Sequence, residues 1–380
     1  MKQSFLIISL LLISLLTKGQ DRFLDSYTIS GQSGWVLPTN EFVKGNNSLQ
    51  IPISHIYSLS LKYERQTDGS RAWHHLHNFP SYGLGLYAAS FDVKNQLGNP
   101  IALYGFMSYY LINKPKWSLK TDISVGVAFN WQHFSPQTPF NVAIGGPVSC
   151  YVDAGVSAFR LIGKKFEIGA GLYLTHFSNG AMAKPNKGLN VINPKISIKY
   201  KPYGEFEYKQ TELPHFEKQF ENLTTFFLGM HDVLTTLPRN QVDKQFNNQS
   251  YLVFGLDRRY LKRLTPKHSL GLGFGVGYNQ YVGTSYYIEN REMVLRKANV
   301  MERFNLSVYL SYEFRINRLM FFAEPGYYAY KSIYDKSEDF FQRIGLRYHL
   351  NDNLFCSIGL RTQYFSVAQY IEWGIGLRMP

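Results

Sequence analysis

The chain has 380 residues, of which 28 are Tyr, 28 are Phe, 31 are Gly and only 2 are Cys, and its formal net charge is +13. Abundant Gly and aromatic residues with alternating hydrophobicity are typical of an outer-membrane β-barrel. The charge alone would allow a nucleic-acid partner, but there is no basic block with a binding motif, and we expect no nucleic acid to bind. One explanation of the excess positive charge is that Lys and Arg face a polar lumen or lipid phosphates. The alternative is that these charges are solvated and have no partner.

Residues 1–19 have the pattern of a secretory signal peptide. Lys2 precedes an apolar run from Phe5 to Leu16, and the small residue Gly19 follows. The run is too short to span a bilayer. No later stretch approaches about eighteen uninterrupted apolar residues, which excludes helical membrane spans. We therefore expect export and a place in the cell outer membrane.

Period-2 alternation predicts about eight antiparallel strands within residues 20–201. In residues 117–131 the odd positions from Trp117 to Trp131 are mostly apolar, whereas Lys120 and Asp122 belong to the other face. One face would meet lipid and the other a polar interior. The predicted strands cover 26–37, 56–66, 82–91, 101–112, 117–131, 148–160, 165–178 and 190–201.

A second set of about eight strands is predicted in residues 223–380. Residues 202–222 are polar without steady alternation and predict a linker, which is periplasmic because an even strand number returns the chain to its starting side. The later strands are predicted at 223–235, 249–260, 268–282, 302–316, 318–331, 339–349, 353–365 and 369–379. The fold class is all-β, a transmembrane antiparallel outer-membrane β-barrel. Alternation does not decide whether the second set closes its own barrel or widens the first.

The two halves resemble each other in strand order, which suggests an internal duplication, although generic barrel strands also resemble one another. In the second copy Gln363 stands where the first has His176, and no Ser-Asn follows, so we expect an inert scaffold there. The corresponding segments are 57–65 with 251–259, 80–86 with 266–272, and 171–177 with 359–364.

Polar residues interrupt a lipid-facing row at the end of the strand predicted at 165–178. Its even positions are apolar up to Leu174, and His176 and Ser178 continue that parity. If this strand pairs with the next one, Asn190 shares their outer surface. Polar groups against hydrocarbon cost about 1 to 3 kcal/mol each unless they are satisfied. The row is therefore either a set of interfacial residues that meet headgroups or a reactive site.

The chemistry of the row favours a reactive site. A His two residues from a Ser on one strand face can reach its hydroxyl, and an amide such as Asn190 can hold the imidazole. Asn179, Asn186 and the backbone after Gly180 supply donors for a developing oxyanion. A serine esterase whose substrate is the lipid itself needs its nucleophile outside the barrel.

The stretch His176-Phe177-Ser178-Asn179, followed by Pro185-Asn186-Lys187-Gly188, resembles the signature of the PagL-type lipid A 3-O-deacylases. These are small eight-stranded outer-membrane barrels that remove the ester-linked acyl chain at position 3 of lipid A. The resemblance covers roughly residues 26–201. It implies that Ser178 is the nucleophile, His176 the general base and Asn186 an oxyanion or loop-ordering residue, with Asn179 in support. It also implies lipid A, within lipopolysaccharide, as the substrate.

Two features depart from the family pattern. The family carries a Glu fourteen residues after the His, where this chain has Asn190. An amide oxygen can fix the imidazole tautomer but lacks a full charge to stabilise imidazolium, and Asp153 and Glu167 fall on the inward phase of their strands. The chain also has about twice the family's number of strands. The alternative function is a non-catalytic outer-membrane barrel, porin-like or structural, that retains a relic site.

Other features carry weaker predictions. His74-His75-Leu76-His77 could suggest a metal, but adjacent His residues in a strand point in opposite directions, and we interpret the stretch as a polar extracellular loop. No phosphate-binding glycine loop opens a helix, so we expect no cofactor and no metal. Cys150 and Cys356 are expected to be unpaired, and Glu372, inward by phase, to pair with a luminal Arg or Lys.

Overall fold

Two closed antiparallel barrels make up the protein, in a computed structural model that describes residues 24–204, 207–233, 249–283, 285–289, 292–296 and 298–379. The predicted signal peptide at 1–19 lies outside the described residues. The first barrel consists of β1 (Asp25–Val36), β2 (His55–Gln66), β3 (Ser81–Phe91), β4 (Gly98–Lys114), β5 (Trp117–Trp131), β6 (Ser149–Ile162), β7 (Phe166–Ser178) and β8 (Leu189–Tyr200). A short helix, α1 (Ala72–Leu76), lies between β2 and β3.

The second barrel follows the linker. It consists of β9 (Gln219–Val233), β10 (Gln249–Arg263), β11 (His268–Asn279), β14 (Phe304–Ile316), β15 (Leu319–Tyr330), β16 (Phe340–His349), β17 (Leu354–Gln363) and β18 (Val367–Met379). The loop between β11 and β14 contains a separate hairpin, β12 (Ser285–Glu289) with β13 (Glu292–Arg296), and a 3-10 turn at Met301–Arg303. The predicted all-β class is thereby confirmed.

Each sheet closes on itself. In the first barrel β1 pairs with β8 and places Ile29 opposite Ile198. In the second barrel β18 pairs with β9 and places Trp373 opposite Leu228. The chain therefore forms two barrels of eight strands each and not one wide barrel. Closure satisfies every strand edge, which a sheet surrounded by lipid requires.

The alternation of the strands separates an apolar outer wall from a polar lumen. Leu172 is 57% exposed and Ile196 is 67% exposed on the outside of the first barrel. Its lumen holds buried ion pairs: Lys62 with Asp122 at 2.9 Å, Lys199 with Glu64 at 2.6 Å, and Lys195 with Asp153 at 3.0 Å. Beyond them, at the far end from the linker, lie buried aromatic side chains that include Tyr87, Tyr104, Tyr151 and Phe177. Part of the excess of Lys thus faces the lumen, as predicted.

The lumen of the second barrel is filled by arginines and carboxylates. Arg343 pairs with Asp257 at 2.7 Å, with Glu324 at 2.6 Å and with Glu372 at 2.9 Å. Glu372 also binds Arg361 at 2.7 Å, which confirms its predicted luminal pairing. An eight-stranded barrel is just wide enough for side chains to fill its interior. The second barrel is therefore a packed core.

The linker is shorter than its composition predicts, because β9 begins at Gln219, inside the segment 202–222. Glu221 points into the second barrel and binds Arg315 at 2.8 Å and Arg378 at 2.9 Å. In the sequence, the charge of Glu221 makes this segment resemble a linker. In the fold it is an inward-facing residue near the start of β9.

The histidine stretch lies at the linker end of the first barrel. An extracellular histidine loop and a periplasmic linker, which were both predicted, are therefore incompatible. Residues 67–80 connect β2 to β3 and contain α1. The linker binds this loop directly: Lys209 pairs with Asp68 at 2.8 Å, and the Thr211 hydroxyl donates to the Gly69 carbonyl at 2.7 Å. An even number of strand crossings separates loop and linker, so both must share one end.

The segments of the two halves that resemble each other in sequence form strands at the same positions in the two barrels. β2 corresponds to β10, β3 to β11 and β7 to β17, which are the second, third and seventh strands of their sheets. Both cysteines are free. Within the described ranges, no helix is both long and apolar enough to cross a membrane.

Candidate active site

Three polar side chains share the outer surface at the ends of β7 and β8. His176 and Ser178 follow the outward row of Leu172 and Leu174, and Asn190 is the cross-strand partner of His176. All three side chains are half-buried, whereas Thr175 and Phe177, on either side of His176 in the sequence, are buried in the lumen. The three side chains therefore face outward, as the alternation of the strand predicts. The site lies at the end of the barrel opposite the linker.

A hydrogen bond joins His176 to Asn190. Nδ1 of the imidazole lies 2.7 Å from Oδ1 of the amide. Oδ1 can only accept, so the Nδ1–H of His176 donates. This tautomer leaves Nε2 unprotonated, and it is the form that a general base requires.

Ser178 continues the row beyond the histidine. In the described part of the chain its hydroxyl has no hydrogen-bond partner, and it is free to turn toward the imidazole or toward a substrate carbonyl. Such contacts are often loose without substrate and tighten when it binds. The predicted nucleophile and base are therefore adjacent, although no hydrogen bond joins them here.

Gly188 brings the loop close to both side chains. Its φ is +71°, and a Cβ there would lie 3.1 Å from Cε1 of His176 and 3.5 Å from Cβ of Ser178. The side chains of His176 and Ser178 therefore both lie next to the position that a Cβ at residue 188 would occupy. The sequence motif includes Gly188, but nothing in the spacing assigns it this packing role.

The site loop, residues 179–188, starts with a tight turn. Gly180 and Ala181 have φ values of +60° and +64°, and the Met182 N–H donates to the Asn179 carbonyl at 3.2 Å. Two central residues with positive φ define a type I′ turn, which favours glycine. The turn directs the chain away from Ser178 immediately after the strand ends.

The asparagines of the site loop divide into two roles. Asn179 is buried and orders the loop: its Nδ2 donates to the Ala183 carbonyl at 2.8 Å, and its backbone N–H donates to Oδ1 of Asn186 at 3.3 Å. Nδ2 of Asn186 has no acceptor among the described residues. The N–H groups of Gly180 and Ala181 also have none there. The unused donors of the described site loop thus include Nδ2 of Asn186 and the turn backbone.

Two other loops of the first barrel support the site loop. The N–H groups of Lys187 and Gly188 donate to the carbonyls of Val142 and Ala143, both at 2.9 Å. Nδ2 of the buried Asn40 donates to the Gly188 carbonyl at 3.0 Å. Asn40 was missed from the sequence because it lies in the loop between β1 and β2, where no periodicity assigns a direction to a side chain.

The luminal carboxylates do not substitute for the missing Glu. Asp153 accepts from the Thr175 hydroxyl at 2.7 Å and pairs with Lys195, and Glu167 pairs with Lys201 at 2.7 Å. Both point to the inside of the barrel, as their strand phase predicts. The only orienting partner of His176 in the described structure is therefore the neutral amide of Asn190.

These features define an outer-membrane-type β-barrel with a hydroxyl, an imidazole and an amide on its outer wall. Two family models match the chain: lipid A 3-O-deacylase (PagL) over residues 57–201, and the C-terminal domain of acyloxyacyl hydrolase over residues 222–380. Together they span most of the chain. The chain belongs to the PagL-type lipid A 3-O-deacylase (acyloxyacyl hydrolase) family, which confirms the resemblance of its motif.

Several solved barrels are similar to the chain at low identity. A crystal structure of the outer membrane enzyme PagL is 14% identical with a TM-score of 0.32, and the match covers 45% of this chain and 97% of that chain. The translocator domain of the autotransporter NalP from Neisseria meningitidis is 10% identical with a TM-score of 0.22, over 99% and 96%. The NanC porin is 7% identical with a TM-score of 0.16, over 93% and 99%. No curated protein matches the chain.

Proposed function

We propose that this chain is a serine esterase of the outer membrane that hydrolyses the ester-linked acyl chain at position 3 of lipid A in lipopolysaccharide. The observation that carries the proposal is the 2.7 Å hydrogen bond between His176 and Asn190, beside the free hydroxyl of Ser178. Because these groups face outward from a closed barrel, their location favours a membrane lipid as the substrate. Lipid A is the substrate of the family to which the chain belongs.

The reaction has two steps. Oγ of Ser178 attacks the ester carbonyl while Nε2 of His176 takes the hydroxyl proton, and the tetrahedral intermediate then expels the sugar oxygen, which receives that proton. The acyl chain stays on Ser178. A water molecule, deprotonated by His176, attacks the acyl-enzyme ester and releases the hydroxy fatty acid, and the proton returns to Oγ.

Asn186 and the turn backbone serve the oxyanion. Nδ2 of Asn186 and the N–H groups of Gly180 and Ala181 are donors of the site loop that have no acceptor among the described residues. Fixed donors aimed at a developing negative charge are usually the largest single contribution to acyl transfer. Asn179 acts through them, because its hydrogen bonds to Ala183 and Asn186 hold the loop in place.

Asn190 orients the imidazole without supplying charge. Its Oδ1 keeps the proton on Nδ1 of His176, so that Nε2 is left unprotonated. A carboxylate in this position would in addition stabilise the imidazolium that forms during attack. We therefore expect slower catalysis than a glutamate would support.

The outer wall below the site suits an acyl chain. Leu172, Leu174 and Ile196 are 57%, 50% and 67% exposed on β7 and β8. An acyl chain lying along this wall would place its ester near the strand ends, where Ser178 lies. The apolar row therefore favours an ester with a long chain over a small soluble ester.

The location of the site agrees with lipid A as substrate. With residues 1–19 as an export signal and the linker on the periplasmic side, β7 ends at the outer leaflet of the outer membrane, where lipopolysaccharide resides. A site at the linker end would instead face the phospholipids of the inner leaflet.

The second candidate is a non-catalytic barrel with a relic site. A porin-like function is disfavoured because ion pairs such as Lys62 with Asp122 and Arg343 with Glu324 fill the lumens. Mass spectrometry of lipid A from cells that express the wild type or Ser178→Ala separates the candidates. Loss of one hydroxyacyl chain only with the wild type supports the esterase. Unchanged lipid A in both, with each protein folded in the membrane, refutes it.

A further inference from the structure

The second barrel touches the site loop through a hydrogen bond. The backbone N–H of Lys184 donates to Oδ2 of Asp232 at 2.7 Å. Asp232 is 2% exposed and lies near the end of β9, in the second barrel. A hydrogen bond to a buried carboxylate is stronger than one between neutral groups. The middle of the site loop is thus attached to a part of the chain that the esterase chemistry does not otherwise use.

The same loop also packs against the outer wall of the second barrel. A Cβ at Gly180 would lie 2.6 Å and 2.7 Å from Cγ1 and Cδ1 of Ile371, and 3.2 Å from Cδ1 of Leu360. Gly180 stands two residues after Ser178. The backbone at Gly180 therefore lies so close to Ile371 that any larger residue at position 180 would displace one of the two.

The burial of Ile371 shows that the loop covers this part of the wall. Ile371 shares the outward row of β18 with Trp373 and Ile375, which are 57% and 54% exposed. Ile371 is only 6% exposed. Its neighbour across the pair, Leu360 on β17, is also partly covered. The site loop thus covers the outer wall of the second barrel at Ile371 and Leu360.

These contacts lie next to the proposed oxyanion donors in sequence. Gly180 lies at its start, and Lys184 lies two residues before Asn186. We propose that the second barrel positions the site loop of the first, with Asp232, Ile371 and Leu360 as positioning residues for Ser178 and Asn186. This inference rests on the proposed esterase function. It assigns a role in catalysis to a half that the sequence predicts to be inert.

The physical reason is preorganisation. Oxyanion donors act only when they are held in place before the reaction starts. A displacement of about 1 Å can reduce the rate by about a hundredfold. Contacts to the second barrel supply such support from outside the first barrel.

The test compares Ile371→Ala and Asp232→Ala with Ile375→Ala in the full chain. Ile375 has the same side chain on the same strand and face but no loop above it. We expect kcat to fall about tenfold in the first two variants, with KM within about twofold, because the chemical step is affected more than binding. Amide hydrogen exchange in residues 179–188 should become faster in both. Asp232→Asn, which keeps an acceptor, should recover most of the activity.

A rescue experiment identifies direct contact. Gly180→Ala should reduce kcat because its new methyl group meets Ile371, and Ile371→Ala in that background should raise kcat again. Unchanged kcat and unchanged exchange in Ile371→Ala and Asp232→Ala would overturn the positioning role while leaving the esterase in place. Absence of hydrolysis by the folded wild type would refute the esterase instead, and hydrogen exchange would still report whether the second barrel holds the loop.

Discussion

Nδ1 of His176 lies 2.7 Å from Oδ1 of Asn190, its direct partner on the neighbouring strand. The bond orients the ring, but the neutral amide leaves the imidazolium without a counter-charge. We expect Asn190→Glu to be as active as the wild type or more active. Asn190→Ala should lower kcat about ten- to a hundredfold, the effect of losing one hydrogen bond to a charged group. Steady-state kinetics on lipid A would measure both. Complete loss of activity in Asn190→Glu would show that the amide has a role of its own.

Gly188 is expected to tolerate no side chain. In Gly188→Ala the new Cβ would lie 3.1 Å from Cε1 of His176, and we predict a loss of kcat of about tenfold or more, because tighter contacts displace the ring. Gly163→Ala is the matched control. Gly163 also has a positive φ, +66°, but nothing lies within 4 Å of its Cβ position. Equal losses of kcat in the two variants would mean that backbone strain, and not contact with the site, is responsible.

Asn186→Asp separates the two roles of this amide. The variant keeps an oxygen that can accept from the Asn179 N–H, but it loses the Nδ2 donor and adds a negative charge. If Nδ2 binds the oxyanion, kcat should fall about a hundred- to a thousandfold. Hydrogen exchange in the loop should stay unchanged. Lys187→Gln, an exposed neighbour, serves as the control. Wild-type kcat in Asn186→Asp would restrict Asn186 to ordering the loop.

The linker end should become less stable in acid. Burial lowers the pKa of His77 to about 4 and also lowers that of His74. Such a histidine is neutral in the folded state but takes up a proton near pH 6.5 when unfolded, so its contribution is fully present above that pH. Stability should therefore fall between pH 6.5 and about 4, on the order of 1–3 kcal/mol. Thermal unfolding of wild type and His77→Gln would measure it, and the variant should decline less. Parallel curves would contradict this explanation.

The strands could be predicted because their alternation is local. Each predicted strand of both barrels has a counterpart whose ends differ by a few residues. The error at 202–222 arose because Glu221 is a charged residue of a strand, and charge within a short window resembles a linker. Whether one barrel or two closes could not be predicted, because it depends on the pairing of β1 with β8 across most of a domain.

The candidate site was predictable only where it is local in sequence. His176, Ser178 and Asn190 lie on two adjacent strands, so phase alone brings them to one surface. Asn40 and Ile371 reach the same loop from distant segments, and no spacing rule connects them to it. The end of the barrel at which the histidine stretch lies follows from the even number of strands between it and the linker, and not from its polar composition.

The most direct measurement is the release of hydroxy fatty acid from lipid A by purified protein in detergent. Wild type should release the acyl chain from position 3, and Ser178→Ala and His176→Gln should release none above background. Ser366→Ala, which changes an exposed serine after β17 in the second barrel, should retain full activity. Release by Ser178→Ala at the wild-type rate, or no release by folded wild type, would contradict the account of Ser178 as the nucleophile of a lipid A esterase.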